Sequence, residues 1–197
     1  MQMHKAFGQK DLTLVELKEI NLSGFLLDLK GYIGLGHDNN ISKYYSDFWE
    51  YDILSNTWTQ KANFGGGARG GAVGFSINSL GYVGTGTDSN NKRDFWEYNP
   101  STNIWTQKAY FGGSPRSYAI GFSVGNKGYI GTSSILANDD FWEYDPVTDK
   151  WTRKSDFAGH FRSGAVGFSI GNKGYVGTGT YTIITPLLPD AHFVKPK

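Results

Sequence analysis

The sequence predicts an all-β protein built from repeated four-stranded antiparallel sheets. Three observations lead to this prediction. Short words recur in one fixed order through most of the 197 residues. Aromatic and β-branched residues are concentrated in short runs, as expected for strands. Glycine is abundant, at 27 residues, which suits tight turns between crowded strands.

Four words define the repeat. Asp-Phe-Trp-Glu-Tyr begins at residues 47, 94 and 140, so its period is 47 and then 46 residues. Trp-Thr-x-Lys begins at residues 58, 105 and 151, and Gly-Tyr-(Ile/Val)-Gly begins at residues 31, 81, 128 and 174. Gly-Phe precedes the last word by seven residues every time, at residues 24, 74, 121 and 167. All six Trp residues lie inside this pattern.

Each repeat predicts four strands, named A to D. In the third repeat they cover residues 116–124, 128–132, 140–145 and 150–154. A tight hairpin turn joins A to B, because Gly125 and Asn126 tolerate a positive φ. Pro146 opens the turn between C and D, because its ring fixes φ for that position. Four strands at a period of 40 to 50 residues are typical of the blade of a β-propeller.

Strand C supports radial stacking of these sheets. Trp49 and Tyr51 point to one face of the strand, and Phe48 points to the other. Both faces are therefore aromatic, and both need to be covered. A sheet between two neighbouring sheets meets this need, whereas a sheet with one solvated face does not.

The repeat resembles the kelch family of propellers. Tyr and Trp are separated by six residues in each repeat, at 51/58, 98/105 and 144/151, and an Arg opens strand A in three repeats. The family's double glycine at the end of strand B is replaced by Gly-Thr-Gly at residues 84–86 and 177–179. It is replaced by Gly-Leu-Gly at residues 34–36 and by Gly-Thr-Ser at residues 131–133. The resemblance covers about four-fifths of the chain and extends to galactose-oxidase-like kelch repeats.

The repeats divide the chain into three parts. Residues 1–21 form an irregular N-terminal segment, residues 22–180 carry the repeats, and residues 181–197 form an off-pattern tail. The blades cover approximately residues 22–61, 69–108 and 116–154, and a half blade covers residues 162–180. Propellers usually close with four to eight blades. We therefore expect a fragment of a longer propeller, two paired chains that associate through open blade edges, or irregular ends that complete a fourth blade.

Bulk composition excludes several classes of function. The 19 basic and 18 acidic residues nearly cancel, so the chain lacks the electrostatic footprint of a nucleic-acid-binding protein. No run approaches the roughly 20 apolar residues of a membrane helix. The N-terminal residues contain no apolar core of a signal peptide. The absence of cysteine leaves the compartment open, with an extracellular or periplasmic site favoured if the chain is a fragment.

The loops at one end of the blades form the predicted binding face. The B–C loops, at residues 37–46, 87–93 and 133–139, and the D–A loops emerge at the same end and differ between repeats. Variable loops on a rigid scaffold are a common binding surface. The candidate ligand-binding residues are Arg69, Arg116, Arg162, Phe64, Phe111, Phe157, His37 and His160.

These candidates also have structural interpretations. The arginines could form a ring of guanidinium groups for an anionic ligand. Alternatively, each could pair with the Glu of strand C, at position 50, 97 or 143, and we favour this pairing because a buried Glu needs a partner. The phenylalanines could stack on a sugar ring, but a plug beneath each loop is favoured.

The resemblance to galactose oxidase does not imply its chemistry. The copper cofactor of that enzyme needs a Tyr linked to a Cys, and this chain has no Cys. No two of the four histidines have the spacing of metal ligands, so neither a cofactor nor a metal is predicted. We therefore expect a non-catalytic binding or scaffolding module for a protein segment or a glycan. The alternatives are a glycan-modifying enzyme of the sialic-acid mutarotase type and a fragment without independent function.

Overall fold

The computed structural model describes residues 22–133, 138–159 and 162–180, and these ranges contain fourteen strands and no helix. Accordingly, none of these residues belongs to a helix that could cross a membrane. The strands are β1 Ser23–Leu27, β2 Lys30–Asp38, β3 Lys43–Asp52, β4 Thr57–Gln60, β5 Val73–Ile77, β6 Leu80–Gly84, β7 Phe95–Asn99, β8 Ile104–Lys108, β9 Ile120–Val124, β10 Lys127–Ser133, β11 Asn138–Asp145, β12 Lys150–Arg153, β13 Val166–Ile170 and β14 Lys173–Gly177.

The strands form four antiparallel sheets in chain order. The first sheet contains β1–β4, the second β5–β8 and the third β9–β12, and each has its strands side by side in sequence order. The fourth sheet has two strands, β13 and β14. These are the predicted A, B, C and D strands, so the all-β fold with about three and a half four-stranded units is confirmed. In the third sheet, strand A is shorter than predicted and begins at Ile120.

Local sequence explains the hairpins. The first residue of each A–B turn has a positive φ, between 50° and 59°. These residues are Asp28, Asn78, Gly125 and Gly171. Asp, Asn and Gly are the residues that adopt this conformation at least cost. The repeat therefore maintains the turn with three residue types that share one conformational property.

Neighbouring sheets join through a ring that packs onto a glycine. A Cβ atom built on Gly81 would lie 1.9 Å from the Phe25 ring of the preceding sheet. The same position on Gly128 would lie 2.4 Å from the Phe75 ring. Only a residue without a side chain allows so close an approach. The recurring Gly of strand B thus receives the recurring Phe of strand A from the sheet before it.

Aromatic side chains fill the space between the sheets. Phe48 and Tyr98, from the first and second sheets, are both buried and meet edge to face with centroids 5.1 Å apart. Phe95 and Tyr144 repeat this contact between the second and third sheets at 4.8 Å. Edge-to-face pairs of this kind add to the free energy gained by burial.

The fourth sheet has an exposed apolar face. On β13, Val166, Phe168 and Ile170 are 56%, 49% and 62% exposed. Their equivalents on β5 are at most 4% exposed because the third sheet covers them; these are Val73, Phe75 and Ile77. Among the described residues, no further sheet covers this face of β13.

Candidate binding face at the loop end of the sheets

The loop end is held together by backbone hydrogen bonds between neighbouring sheets. The N–H of Gly36, at the end of β2, donates to the carbonyl of Arg69 at 2.8 Å. The N–H of Gly86 donates to the carbonyl of Arg116, also at 2.8 Å. The backbone of each arginine therefore fixes the D–A loop of one sheet against strand B of the sheet before it.

The arginine side chains are buried beneath these loops. Arg69 is 1% exposed, and its two terminal nitrogens bind the two carboxylate oxygens of Asp94 at 2.6 and 2.9 Å. Arg116 is fully buried and binds Asp140 in the same manner at 2.7 and 2.9 Å. Two parallel charge-assisted hydrogen bonds fix both the distance and the plane of the pair.

The prediction that these arginines pair with the Glu of strand C was wrong. The partner is the Asp that opens the same five-residue word, three residues before the Glu. Strands rise about 3.3 Å per residue, so the Glu lies about 10 Å further from the loop end. Arg116 precedes the first residue of β9 by four positions and therefore reaches only the nearer carboxylate.

The Glu of strand C instead binds a Tyr from strand B and a Lys. Tyr129 Oη donates to Glu143 Oε2 at 2.7 Å, and Lys154 Nζ lies 3.1 Å from the same oxygen. Burial raises the pKa of Glu143, but these two partners outweigh it and hold the pKa below its ordinary value. In the first sheet Tyr32 binds Glu50 at 2.6 Å, beside a cavity of about 420 Å³ at the turn end.

A left-handed residue at the end of strand B supports each arginine. Thr85 has a φ of 61°, and its carbonyl accepts a hydrogen bond from Arg69 Nη1 at 2.9 Å. Thr132, with a φ of 57°, does the same for Arg116 at 3.2 Å. A β-branched residue rarely adopts this backbone conformation. This position corresponds to the double glycine of the kelch repeat.

The three predicted phenylalanines lie beneath the loops. Phe64, Phe111 and Phe157 are at most 3% exposed. Phe64 lies under the Arg69 guanidinium, 4.9 Å from ring centroid to Cζ, and packs edge-on against Trp105. The interpretation of these rings as plugs agrees with this burial, and direct contact with a ligand stays a prediction.

The remaining candidates are spread over the chain. His37 lies in the first sheet, where its ring stacks on Tyr44 with centroids 4.3 Å apart. Arg162 is 9% exposed and lies over Phe157, where its Nη1 donates to the Thr178 carbonyl at 2.9 Å. His160 lies outside the described residues.

A groove opens at the loop end of the third sheet. Its volume is about 330 Å³. The D–A loop forms one wall, and the outer strands β11 and β12 form the other. The lining residues are Gly112, Gly113, Ser114, Asp139, Asp140, Trp142 and Arg153.

The groove differs from the same place in the other sheets. Trp142 and Arg153 are paired across β11 and β12, as Trp96 and Gln107 are in the second sheet and Trp49 and Gln60 in the first. Asp139 precedes the recurring Asp of strand C, where the first and second sheets have Ser46 and Arg93. Sequence reasoning missed this groove. The departure of these positions from the repeat was the signal that could have revealed it.

The charged side chains that line the groove differ in how completely they are paired with other residues. Burial raises the pKa of Asp140, but hydrogen bonds from Arg116 and Trp142 outweigh it and hold the pKa below its ordinary value. The Asp139 carboxylate forms no hydrogen bond or ion pair with any other described residue, whereas the Asp139 backbone carbonyl accepts a hydrogen bond from the Phe157 N–H at 2.7 Å. Arg153 has a side chain that is 57% exposed, and its only described ion pair is with Asp156, at 2.8 Å.

Comparison with known proteins identifies the fold. No model of a known protein family matches the chain, and no curated protein is similar to it in sequence. A solved structure described as "Structure of YjhT" superimposes with a TM-score of 0.69 at 18% sequence identity. The match covers 82% of this chain and 58% of that one, so the chain spans a little over half of the known structure. Together with the four-stranded sheets, this likeness shows that the described chain has the fold of part of a kelch-type propeller.

Proposed function

We propose that this chain is a non-catalytic binding module that holds a glycan in the groove at the loop end of the third sheet. One observation carries the proposal. The side chains that depart from the repeat at this end, Ser114, Asp139 and Arg153, line a single groove beside Trp142. Residues common to all sheets build the scaffold, whereas residues particular to one sheet are available for recognition.

The chemistry of the groove suits sugar hydroxyl groups. Asp139 is a hydrogen-bond acceptor, Arg153 is a donor, and Ser114 can be either. Trp142 adds a partly exposed aromatic surface against which sugar C–H groups can pack. A cavity of about 330 Å³ is at the small end of ligand sites, which suits a short saccharide better than a folded partner.

Among the predicted arginines, Arg116 supports this groove from below. Arg116 binds Asp140, and Asp140 accepts a second hydrogen bond from Trp142 Nε1 at 2.6 Å. This chain of contacts positions the indole ring in the groove wall. Arg69, Arg116 and Arg162 therefore act in this proposal through the loops that they hold in place.

A glycan array combined with a peptide array tests the proposal. We expect binding to a limited set of glycans, and weaker or no binding to peptides. Two variants replace the particular residues with those of the other sheets: Arg153→Gln and Asp139→Ser. Each should lower affinity for the bound glycan at least tenfold, because a hydrogen bond to a charged group is lost. Wild-type protein that binds no glycan would refute the proposal, and binding confined to peptides would replace the glycan with a protein segment.

The alternative is a glycan-modifying enzyme of the sialic-acid mutarotase type. One observation favours it: the Asp139 carboxylate lines the groove beside the paired Asp140 and could move a proton. Exchange between the anomers of N-acetylneuraminic acid, followed by NMR, distinguishes the two proposals. We expect no acceleration, and an acceleration that Asp139→Ser abolishes would favour the enzyme.

A further inference from the structure

The second sheet binds a short segment of the first sheet through the backbone N–H and C=O of one residue. The N–H of Ala62, which follows β4, donates to Asn103 Oδ1 of the second sheet at 2.9 Å. The carbonyl of Ala62 accepts a hydrogen bond from Trp105 Nε1 at 3.1 Å. An acceptor and a donor on one sheet therefore recognise both backbone groups of a single residue.

The third sheet receives the second sheet in the same way. The N–H of Ala109 donates to Asp149 Oδ1 at 3.0 Å, and its carbonyl accepts from Trp151 Nε1 at 3.2 Å. The two received segments read Lys-Ala-Asn-Phe-Gly at residues 61–65 and Lys-Ala-Tyr-Phe-Gly at residues 108–112. Their common pattern is Lys-Ala-x-Phe-Gly.

The Phe and Gly of this pattern contact the tryptophans of the receiving sheet. The Phe64 ring packs edge-on against Trp105, with centroids 4.9 Å apart, and against Trp96 at 6.0 Å. A Cβ atom on Gly65 would lie 2.7 Å from the Trp96 ring, so this position requires glycine. Each receiver therefore consists of two Trp residues and one side-chain oxygen.

The first sheet carries the same receiver on its outward face. Its members are Asn56, Trp58 and Trp49, at the positions of Asn103, Trp105 and Trp96. Asn56 Oδ1 accepts a hydrogen bond from Tyr51 Oη at 2.6 Å, as Asn103 does from Tyr98 at 2.9 Å. Trp58 Nε1 forms no hydrogen bond with any described residue.

Burial differs between this receiver and that of the second sheet, because no other sheet in the described part of the chain covers this face of the first sheet. Tyr98, which binds Asn103, is fully buried because the first sheet covers it. Tyr51, its equivalent beside Asn56, is only partly buried. The glycine next to this face is open as well, since a Cβ atom on Gly31 would lie no closer than 3.7 Å to its nearest neighbour.

We propose that the outward face of the first sheet is a docking site for an extended peptide segment of the Lys-Ala-x-Phe-Gly type other than residues 61–65 and 108–112. The backbone N–H of the Ala would donate to Asn56 and its carbonyl would accept from Trp58, and the Phe would pack between Trp58 and Trp49. The two segments of this type within the chain, residues 61–65 and 108–112, are already bound to its own second and third sheets.

The sequence of residues 5–8 does not meet the same requirement. These residues, which lie outside the described ranges, read Lys-Ala-Phe-Gly and lack the residue between Ala and Phe. Successive side chains of an extended segment point to opposite sides. If the backbone N–H and C=O of the Ala were bound, a Phe one residue later would point away from the two tryptophans. The partner is therefore a segment in which one residue separates Ala from Phe, as in residues 61–65 and 108–112.

A labelled peptide tests the proposal on the full-length chain. The probe is a fluorescein-labelled copy of residues 61–67, Lys-Ala-Asn-Phe-Gly-Gly-Gly, and the readout is fluorescence anisotropy. We expect saturable binding with a Kd below about 1 mM, an affinity that a small interface of this kind can reach. Trp58→Phe keeps the ring but removes the N–H, and should weaken binding about fivefold to tenfold. Asn56→Ala should weaken it by a similar factor.

Two controls distinguish specific recognition from a loss of stability and from nonspecific binding. Asn103→Ala alters the occupied receiver of the second sheet, so it should lower thermal stability and leave peptide affinity unchanged. A peptide with the sequence of residues 5–9, Lys-Ala-Phe-Gly-Gln, should bind at least tenfold more weakly. Absence of binding at 1 mM, equal binding of the two peptides, or binding that Trp58→Phe and Asn56→Ala leave unchanged would each overturn the proposal.

Discussion

Arg116→Ala isolates the contribution of a buried arginine–aspartate pair to stability. The substitution removes both hydrogen bonds to Asp140, the bond to the Thr132 carbonyl and the contact with the Phe111 ring. Loss of one partner of a buried pair costs about 3–5 kcal/mol, because the remaining charge stays desolvated. At about 2–4 °C per kcal/mol for a chain of this size, the melting temperature should fall by about 6–20 °C.

This loss should depend on pH. The pKa of Asp140 is lowered in the folded chain, relative to an ordinary value of about 3.9 in the unfolded chain. The stability that the pair contributes is therefore fully present above about pH 4 and is lost as the pH falls through the lower, folded pKa. The difference in unfolding free energy between the wild type and Arg116→Ala should narrow as the pH is lowered below about 4.

Urea unfolding followed by tryptophan fluorescence measures both effects. Arg153→Ala is the matched control, because its ion pair with Asp156 is exposed and exposed pairs contribute about 0–1 kcal/mol. An unfolding midpoint that Arg116→Ala leaves unchanged at pH 7 would refute the structural role of the pair. It would instead favour an arginine that is available to a ligand.

Three further predictions use the same unfolding measurement, and the first two include a control substitution. Gly128→Ala places a Cβ atom 2.4 Å from the Phe75 ring and should lower the free energy of unfolding by about 1–3 kcal/mol. Its control, Gly31→Ala, has no neighbour closer than 3.7 Å and should lower it by under about 0.5 kcal/mol. Equal effects would contradict the ring-on-glycine junction. Phe168→Ser alters a half-exposed ring and should cost under about 1 kcal/mol, while Phe75→Ala should cost about 3–5 kcal/mol; a large loss from Phe168→Ser would mean that this ring is covered in solution. Thr85→Gly relieves a left-handed backbone and an unpaired buried hydroxyl and should raise stability by about 1 kcal/mol; a loss would show that the Thr side chain contributes more than the strain costs.

The fold could be predicted because each repeat independently shows the same pattern of strands and turns. The third sheet shows this most clearly: strands C and D were expected at residues 140–145 and 150–154, and they occupy Asn138–Asp145 and Lys150–Arg153. Aromatic residues on both sides of strand C required neighbours on both sides. Every local pattern in the repeat therefore favoured the same arrangement.

The partner of the arginines was missed for a geometric reason. The word Asp-Phe-Trp-Glu-Tyr offers two carboxylates, and composition alone does not show which lies at the loop end. Arg116 lies before β9, at the loop end of the sheet. A count of residues along the strands would therefore have selected Asp140, which is nearer to that end than Glu143. The groove of the third sheet was missed because it depends on β11, β12 and the D–A loop meeting at one point, which no single strand pattern reveals.

The ring-on-glycine contact between sheets has a consequence for how such a chain can change in length. Phe25, Phe75 and Phe122 each meet the same glycine position one sheet later, so every junction accepts every unit. Duplication or loss of one complete unit of 46 to 50 residues would leave all surviving junctions matched. An insertion of one residue within a strand would instead turn the ring to the opposite face, so evolution of this architecture should proceed by whole sheets.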